Sequence, residues 1–156
     1  MMKRKKPEEV ENQSEEFVKV VVDLPEPDLG ISGEGLWAVA LGDDVYEIRS
    51  SPWHARNINW GDWVRAVSAK DDEWPTFVSV VKRSGHRTMQ IYILQAGSGR
   101  KDEMLAEINR FGASYENADG KMYALDCPPE TDIGPIREYL AKLEERGFLD
   151  YRLNES

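Results

Sequence analysis

The chain has 156 residues, of which 40% are hydrophobic and 31% charged, and it carries a net charge of −9 at pH 7. Folding at that length can bury about two-thirds of the unfolded surface, so neither a metal nor a disulfide staple is required. The acidity argues against general nucleic-acid binding, which depends on neutralising phosphates, and no apolar run is long enough to span a bilayer.

Residues 1–16 are charged, polar and aperiodic, and are expected to form a disordered tail. Lys3-Arg4-Lys5-Lys6 leads into Pro7-Glu8-Glu9 instead of an apolar run, so it does not read as a signal peptide. Order is expected to begin at Phe17, with a β-branched strand Phe17–Val22 and then a Pro/Gly/acid loop over residues 25–34. Leu36–Leu41 and Val45–Arg49 flank Gly42-Asp43-Asp44, a turn composition that tolerates positive φ. A loop from Ser50 to Gly61 precedes a second hairpin, Trp63–Val67 with Phe77–Val81. Four or five short antiparallel strands suggest a small barrel or curled sheet over residues 17–86.

From Arg87 the periodicity changes. Met89–Leu94 reads as a strand broken by Gly97-Ser98-Gly99. Met104, Leu105, Ile108 and Phe111 then recur at helical spacing, with Gly112 as the cap. Ala113–Asn117 and Met122–Cys127 form a hairpin that ends at Pro128-Pro129. Thr131 or Asp132 caps a second helix whose stripe is Ile136, Tyr139, Leu140 and Leu143, and Phe148–Leu153 closes the chain. The predicted class is α+β: an N-terminal β-barrel-like subdomain (17–86), then a β-α-β-β-α-β ferredoxin-like subdomain (87–156).

All five tryptophans fall between Trp37 and Trp74, and both histidines lie in or just beyond that window. Trp37, Trp63 and Trp74 sit on or beside strands and are most simply core. The loop Ser51–Asp62 holds Trp53, His54, Arg56 and Trp60, a mixture that can stack and hydrogen-bond at once. The bland alternative is that Trp53 and Trp60 plug the end of the barrel. Arg83, Ser84, Gly85, His86 and Arg87 offer cations, a hydroxyl and close backbone approach, a set suited to a carboxylate or phosphate. Whether these two segments meet decides whether they make one site.

Other chemistry is weaker. Gly97-Ser98-Gly99-Arg100-Lys101 stands between a strand and a helix but lacks the P-loop ending. The histidines are 32 positions apart and there are no paired cysteines, so no metal site or cofactor is expected. Cys127 reads as a packed residue in a reducing compartment, hence a cytoplasmic protein. Asp43-Asp44 and Asp71-Asp72 read as turn formers. A hydrolase would need His86 within about 3 Å of Asp62 or Asp126, in a cleft.

Three stretches together resemble one bacterial family. Ser51-Pro52-Trp53-His54-Ala55-Arg56 runs on to Trp60-Gly61-Asp62-Trp63-Val64. Arg83-Ser84-Gly85-His86 ends the second hairpin, and Leu125-Asp126-Cys127-Pro128-Pro129 follows in the αβ region. The pattern is similar to the bacterial domain-of-unknown-function family numbered 4265. That resemblance implies a bacterial, cytosolic setting and carries no activity with it. The functional expectation from sequence is a non-catalytic binding or regulatory protein. Its acidity points to a protein partner that it inhibits or escorts, with no nucleic acid and no membrane. The alternative is a small anionic ligand or nucleotide held by the Arg83–Arg87 turn and the Trp53–Trp60 loop.

Overall fold

The computed structural model describes Lys6, residues 15–28 and residues 31–155. The expected disordered tail lies outside the described residues except for Lys6, Glu15 and Glu16. The class is mixed α+β, with two largely antiparallel sheets and two α-helices among the described residues.

The first sheet contains β1 (Phe17–Asp28), β2 (Ile31–Gly42), β3 (Val45–Ile48), β4 (Trp63–Val67) and β5 (Thr76–Lys82), paired in chain order. Each neighbouring pair is antiparallel. The sheet curls into a ring where Val21 of β1 meets Thr76 of β5 in parallel. Of the loop expected over residues 25–34, residues 25–28 instead belong to β1 and residues 31–34 to β2, while residues 29 and 30 lie outside the described residues. Prolines 25 and 27 are tolerated because the register slips between Asp23 and Asp28, where no ladder donor is demanded of them. The β2–β3 turn uses positive φ at Gly42, Asp43 and Asp44, as its composition requires.

Val20, Val22, Leu36, Ala38, Ile48, Val64 and Ala66 fill the ring. Their alternation along the strands turns Trp37 and Trp63 to the outside. This corrects the expectation that both are core. Lys19 lies over Trp37 at 5.1 Å and Lys82 over Trp63 at 4.6 Å, covering the half-buried indoles with cations. Trp74, also expected inside, is 53% exposed between β4 and β5.

The second sheet has the order β7-β8-β6-β9, all antiparallel, from β6 (Arg87–Ile93), β7 (Ser114–Asn117), β8 (Met122–Cys127) and β9 (Leu149–Leu153). A 3-10 turn, Gln95–Arg100, runs directly into α1 (Lys101–Arg110), so the glycines at 97 and 99 do not break the chain into a plain loop. The second helix, α2, spans Gly134–Glu145. Its first turn is braced by Asp132 Oδ1, which accepts from Gly134 N at 2.9 Å, while Ile133 holds the cap position itself.

This sheet is covered on both faces. Met89, Ile91, Ile93, Tyr123, Leu125 and Cys127 pack against Met104, Leu105, Ile108, Ile136, Leu140 and Leu143 of the helices. The alternate positions Met122 and Ala124 pack with Trp53, which comes from the loop between β3 and β4. All six residues of β8 are consequently buried, the pattern of a strand with a layer on each side.

Gly97, in the 3-10 turn, packs directly against Phe148, the residue before β9. A Cβ there would stand 2.3 Å from the carbonyl oxygen of Phe148, inside any real contact distance. Gly97→Ala is expected to lower stability by about 1–3 kcal/mol through forced backbone displacement, read as a reduced urea midpoint at unchanged slope.

Candidate functional site

The loop 50–62 has no regular secondary structure, yet Ser50–Ala55, Ile58 and Asp62 are buried. Its backbone donors must therefore find partners, and two buried carboxylates supply several. Glu34, 3% exposed on β2, accepts from the consecutive amides of Trp53 (2.6 Å), His54 (2.9 Å) and Ala55 (2.7 Å). Asp62, fully buried, accepts from Asn59 N at 2.9 Å and Ser84 N at 2.8 Å, and its Oδ2 lies 3.2 Å from Arg83 Nη1.

The second sheet holds the loop's other side. Gln90 Nε2 donates to Pro52 O at 2.9 Å, and Asn154 Nδ2 to Ile58 O at 2.8 Å. Arg152 donates to Gln90 Oε1 and reaches the carbonyls of Trp53 and His54. Glu116 on β7 accepts from Ser51 N through its carboxylate and from the Trp53 indole N–H through its backbone carbonyl.

The Trp53–Trp60 loop and the Arg83–Arg87 turn meet. Ser84 Oγ donates to Trp60 O at 2.7 Å and accepts from His86 N. Arg83 Nη1 donates to Asn57 O at 2.6 Å. The Trp60 and His86 rings stand 5.1 Å apart, and the Arg49 guanidinium lies 5.9 Å from the centre of the indole. Gly61 is the hinge of this contact, with φ of +83° and Ser84 Cβ 3.0 Å from where its own Cβ would be.

The nine residues singled out from sequence separate into distinct roles. Trp53 and His54 are buried at 2% and 5% exposure, so they anchor the loop and offer no open ring face. Trp60 is half-buried at the junction. Arg56 is exposed on the loop, Gly85 is exposed at φ of +90°, and Ser84 is committed to the junction. Arg83 and Arg87 remain about half-exposed, at 47% and 44% of their side chains.

Those two arginines line a cavity of about 380 Å³ together with Asn57, Asn59, Thr88 and Asn154. Asn57 is held at a positive φ of 63°, and such backbone conformations concentrate at functional sites. Arg87 Nη2 pairs with the exposed carboxylate of Glu155 at 2.7 Å. Thr88 Oγ1 and Asn154 Oδ1 are buried with no hydrogen-bond partner among the described residues, a costly arrangement. Asn57 and Asn59 lie in the Ser51–Asp62 loop that the sequence singled out, whereas no motif marked Asn154. A polar Thr88 and Gln90 alternating with apolar Met89 and Ile91 was the available signal that this sheet face meets something polar.

His86 Nδ1 lies 2.9 and 3.1 Å from the two oxygens of Asp126. Of the two carboxylates weighed from sequence, Asp126 is the one that His86 pairs with. Burial raises the Asp126 pKa above the ordinary carboxylate range, opposed by the hydrogen bond and charge of His86. Burial likewise pushes the Cys127 thiol up to about 11, which leaves it protonated and unreactive. No group of three or more His, Cys, Asp or Glu able to hold a metal occurs among the described residues. No helix among them is long and apolar enough to cross a membrane.

The family model described as Domain of unknown function (DUF4265) matches residues 34–151. No curated protein matches the chain. A solved structure of a hypothetical protein from Neisseria gonorrhoeae is similar at a TM-score of 0.74 and 21% identity, covering 92% of this chain and 97% of that one. At that identity the likeness concerns the fold alone.

Two outcomes follow from the buried acids. Asp62→Ala leaves the amides of Asn59 and Ser84 without their acceptor and is expected to cost on the order of 3 kcal/mol. Asp62→Asn places an N–H donor against one of these donors and does not restore stability; chemical denaturation measures both. Asp126 binds its proton more tightly folded than unfolded. Its contribution to stability is therefore fullest at low pH and is lost as pH rises from the ordinary carboxylate value through its raised folded value. Asp126→Asn is expected to remove that downward slope from a plot of unfolding free energy against pH.

Proposed function

This chain belongs to the DUF4265 family, and we propose that it binds a small anionic ligand that also carries hydrogen-bond donors, in the cavity that the loop 50–62 and the turn after β5 form with the second sheet. One observation carries this reading: Arg83 and Arg87 wall the same cavity as two buried polar side chains with unsatisfied atoms, Thr88 and Asn154. Arg83 makes its contacts through Nη1, and Arg87 its ion pair through Nη2. The rest of each guanidinium fork is left to grip a carboxylate or phosphate. Glu155, exposed and near the end of the described chain, is the internal anion that a ligand would displace. Asn57, Asn59 and Asn154 add carboxamides suited to an amide, an amine or a nucleobase edge.

The cavity volume suits a metabolite or a mononucleotide, since such sites run from about 300 Å³ upward. In fold terms we read the five-stranded ring as a small β-barrel and residues 87–156 as a ferredoxin-like subdomain. The β-α-β-β-α-β order and the sheet order β7-β8-β6-β9 support that second reading. The buried free cysteine supports a reducing, cytoplasmic setting. A second reading, an inhibitory or escorting contact with a protein partner, has the exposed apolar side chains Trp74, Val78 and Val81 in its favour.

Isothermal titration with a panel of nucleoside monophosphates, amino acids and dicarboxylates tests the first reading. At least one compound is expected to bind, with about tenfold or greater weakening in Arg87→Ala, the loss of one charge-assisted contact. Arg87 pairs only with a surface carboxylate among the described residues, so this variant should fold normally. A panel with no binder, or binding indifferent to Arg87→Ala, counts against the ligand reading. Loss of a stoichiometric partner on Trp74→Ser/Val81→Ser would favour the second.

A further inference from the structure

His86, just before β6, and Asp126 of β8 form an arrangement that the binding reading does not use. Asp126 is 8% exposed on β8 and engages Nδ1 of His86 with both oxygens. An ionised carboxylate there accepts the Nδ1 proton and so fixes the tautomer, leaving the lone pair on Nε2. The imidazole is further restrained by the Trp60 ring at 5.1 Å and by the bond from its own backbone N–H to Ser84 Oγ. Its side chain keeps 18% of its surface exposed, and Nε2 has no hydrogen-bond partner among the described residues. Ser84, two residues from His86 in sequence, donates to Trp60 O and is thus not poised as a nucleophile.

We propose that His86 is a general base that activates water against a carboxylic ester, with Asp126 as its positioning residue. In this step Nε2 takes a proton from water as the water oxygen bonds to the acyl carbon. The tetrahedral intermediate then expels the alcohol, whose C–O bond breaks, and the imidazolium returns the proton to the departing oxygen. One acid and one alcohol leave, and no oxidant or reductant is consumed. A preference for esters with an anionic acyl tail rests on the cavity reading above; the His86–Asp126 pair itself does not. The charges acting on Asp126 besides His86 include Glu116 and Glu130, and Arg49 lies 5.9 Å from the centre of the Trp60 ring.

The full chain is assayed with p-nitrophenyl acetate and with the anionic p-nitrophenyl hydrogen succinate. The expected result is hydrolysis faster than an equal concentration of free imidazole, falling on the order of 100-fold in His86→Gln. Asp126→Asn should lower kcat on the order of tenfold with KM unchanged, because the ring loses the acceptor that fixes its tautomer and orientation. If His86→Gln fails to fold, the kcat and KM of Asp126→Asn decide. A wild-type rate no greater than imidazole's, an unchanged rate in folded His86→Gln, or an unchanged kcat in Asp126→Asn overturns the assignment. Succinate preferred over acetate, and that preference lost in Arg87→Ala, ties the base to the cavity. Equal hydrolysis of both esters upholds the base and fails the anion site.

Discussion

Everything between the two sheets depends on two buried carboxylates binding backbone amides. The loop 50–62 is an irregular segment with much of its backbone out of water, which ordinarily leaves N–H groups without partners. Glu34 gathers three consecutive amides of the loop, and Asp62 joins the loop to the turn after β5. A carboxylate that accepts several N–H bonds is compensated for its lost hydration by the same contacts that fix the chain. Neither residue needs to touch a ligand for the site to depend on it.

The loop serves the second sheet as a third layer. Helices cover one face through Met89, Ile91, Leu125 and their neighbours, and the loop covers the other through Trp53. That face mixes apolar Met122 and Ala124 with polar Thr88, Gln90 and Asp126, a composition suited to a covering segment that presents carbonyls as well as an indole. Arg152, Gln90 and Asn154 hydrogen-bond those carbonyls. At the rim, Thr88 of the same polar face lines the cavity of Arg83 and Arg87.

How much of this was legible in the sequence depended on the range of the interactions. Strands and helices rest on local periodicity, and Val45–Ile48, Trp63–Val67, Met122–Cys127 and the Ile136–Leu143 stripe stand where their patterns put them. The tryptophans reversed their expected places because periodicity does not say which strand face looks inward. Leu36 and Ala38 took the interior of a ring with little room, and Trp37 was turned out under Lys19. Prolines 25 and 27 suggested a loop, whereas a register slip accommodated them within a hairpin. For the site, the Arg83–Arg87 turn and the 53–60 loop carried a local signature of cations, aromatics and glycine. Glu34, Asn154 and Arg152 carried none, since each acts on residues at least 19 positions away.

Those separations have a consequence for how the molecule is made. Arg152 and Asn154 grip the loop across 99 and 96 residues of chain, among the longest-range contacts in the fold. A chain emerging in order from the ribosome can assemble the ring of β1–β5 early. Trp53 and its neighbours must then wait until residues 152–154 have been synthesised before their carbonyls are covered. Until β8 emerges the loop also presents the Trp53 indole, which Met122 and Ala124 then cover. The nascent chain thus carries incompletely paired carbonyls beside the place where the folded protein holds its cavity, and β9, the last of the described strands, brings the side chains that satisfy them.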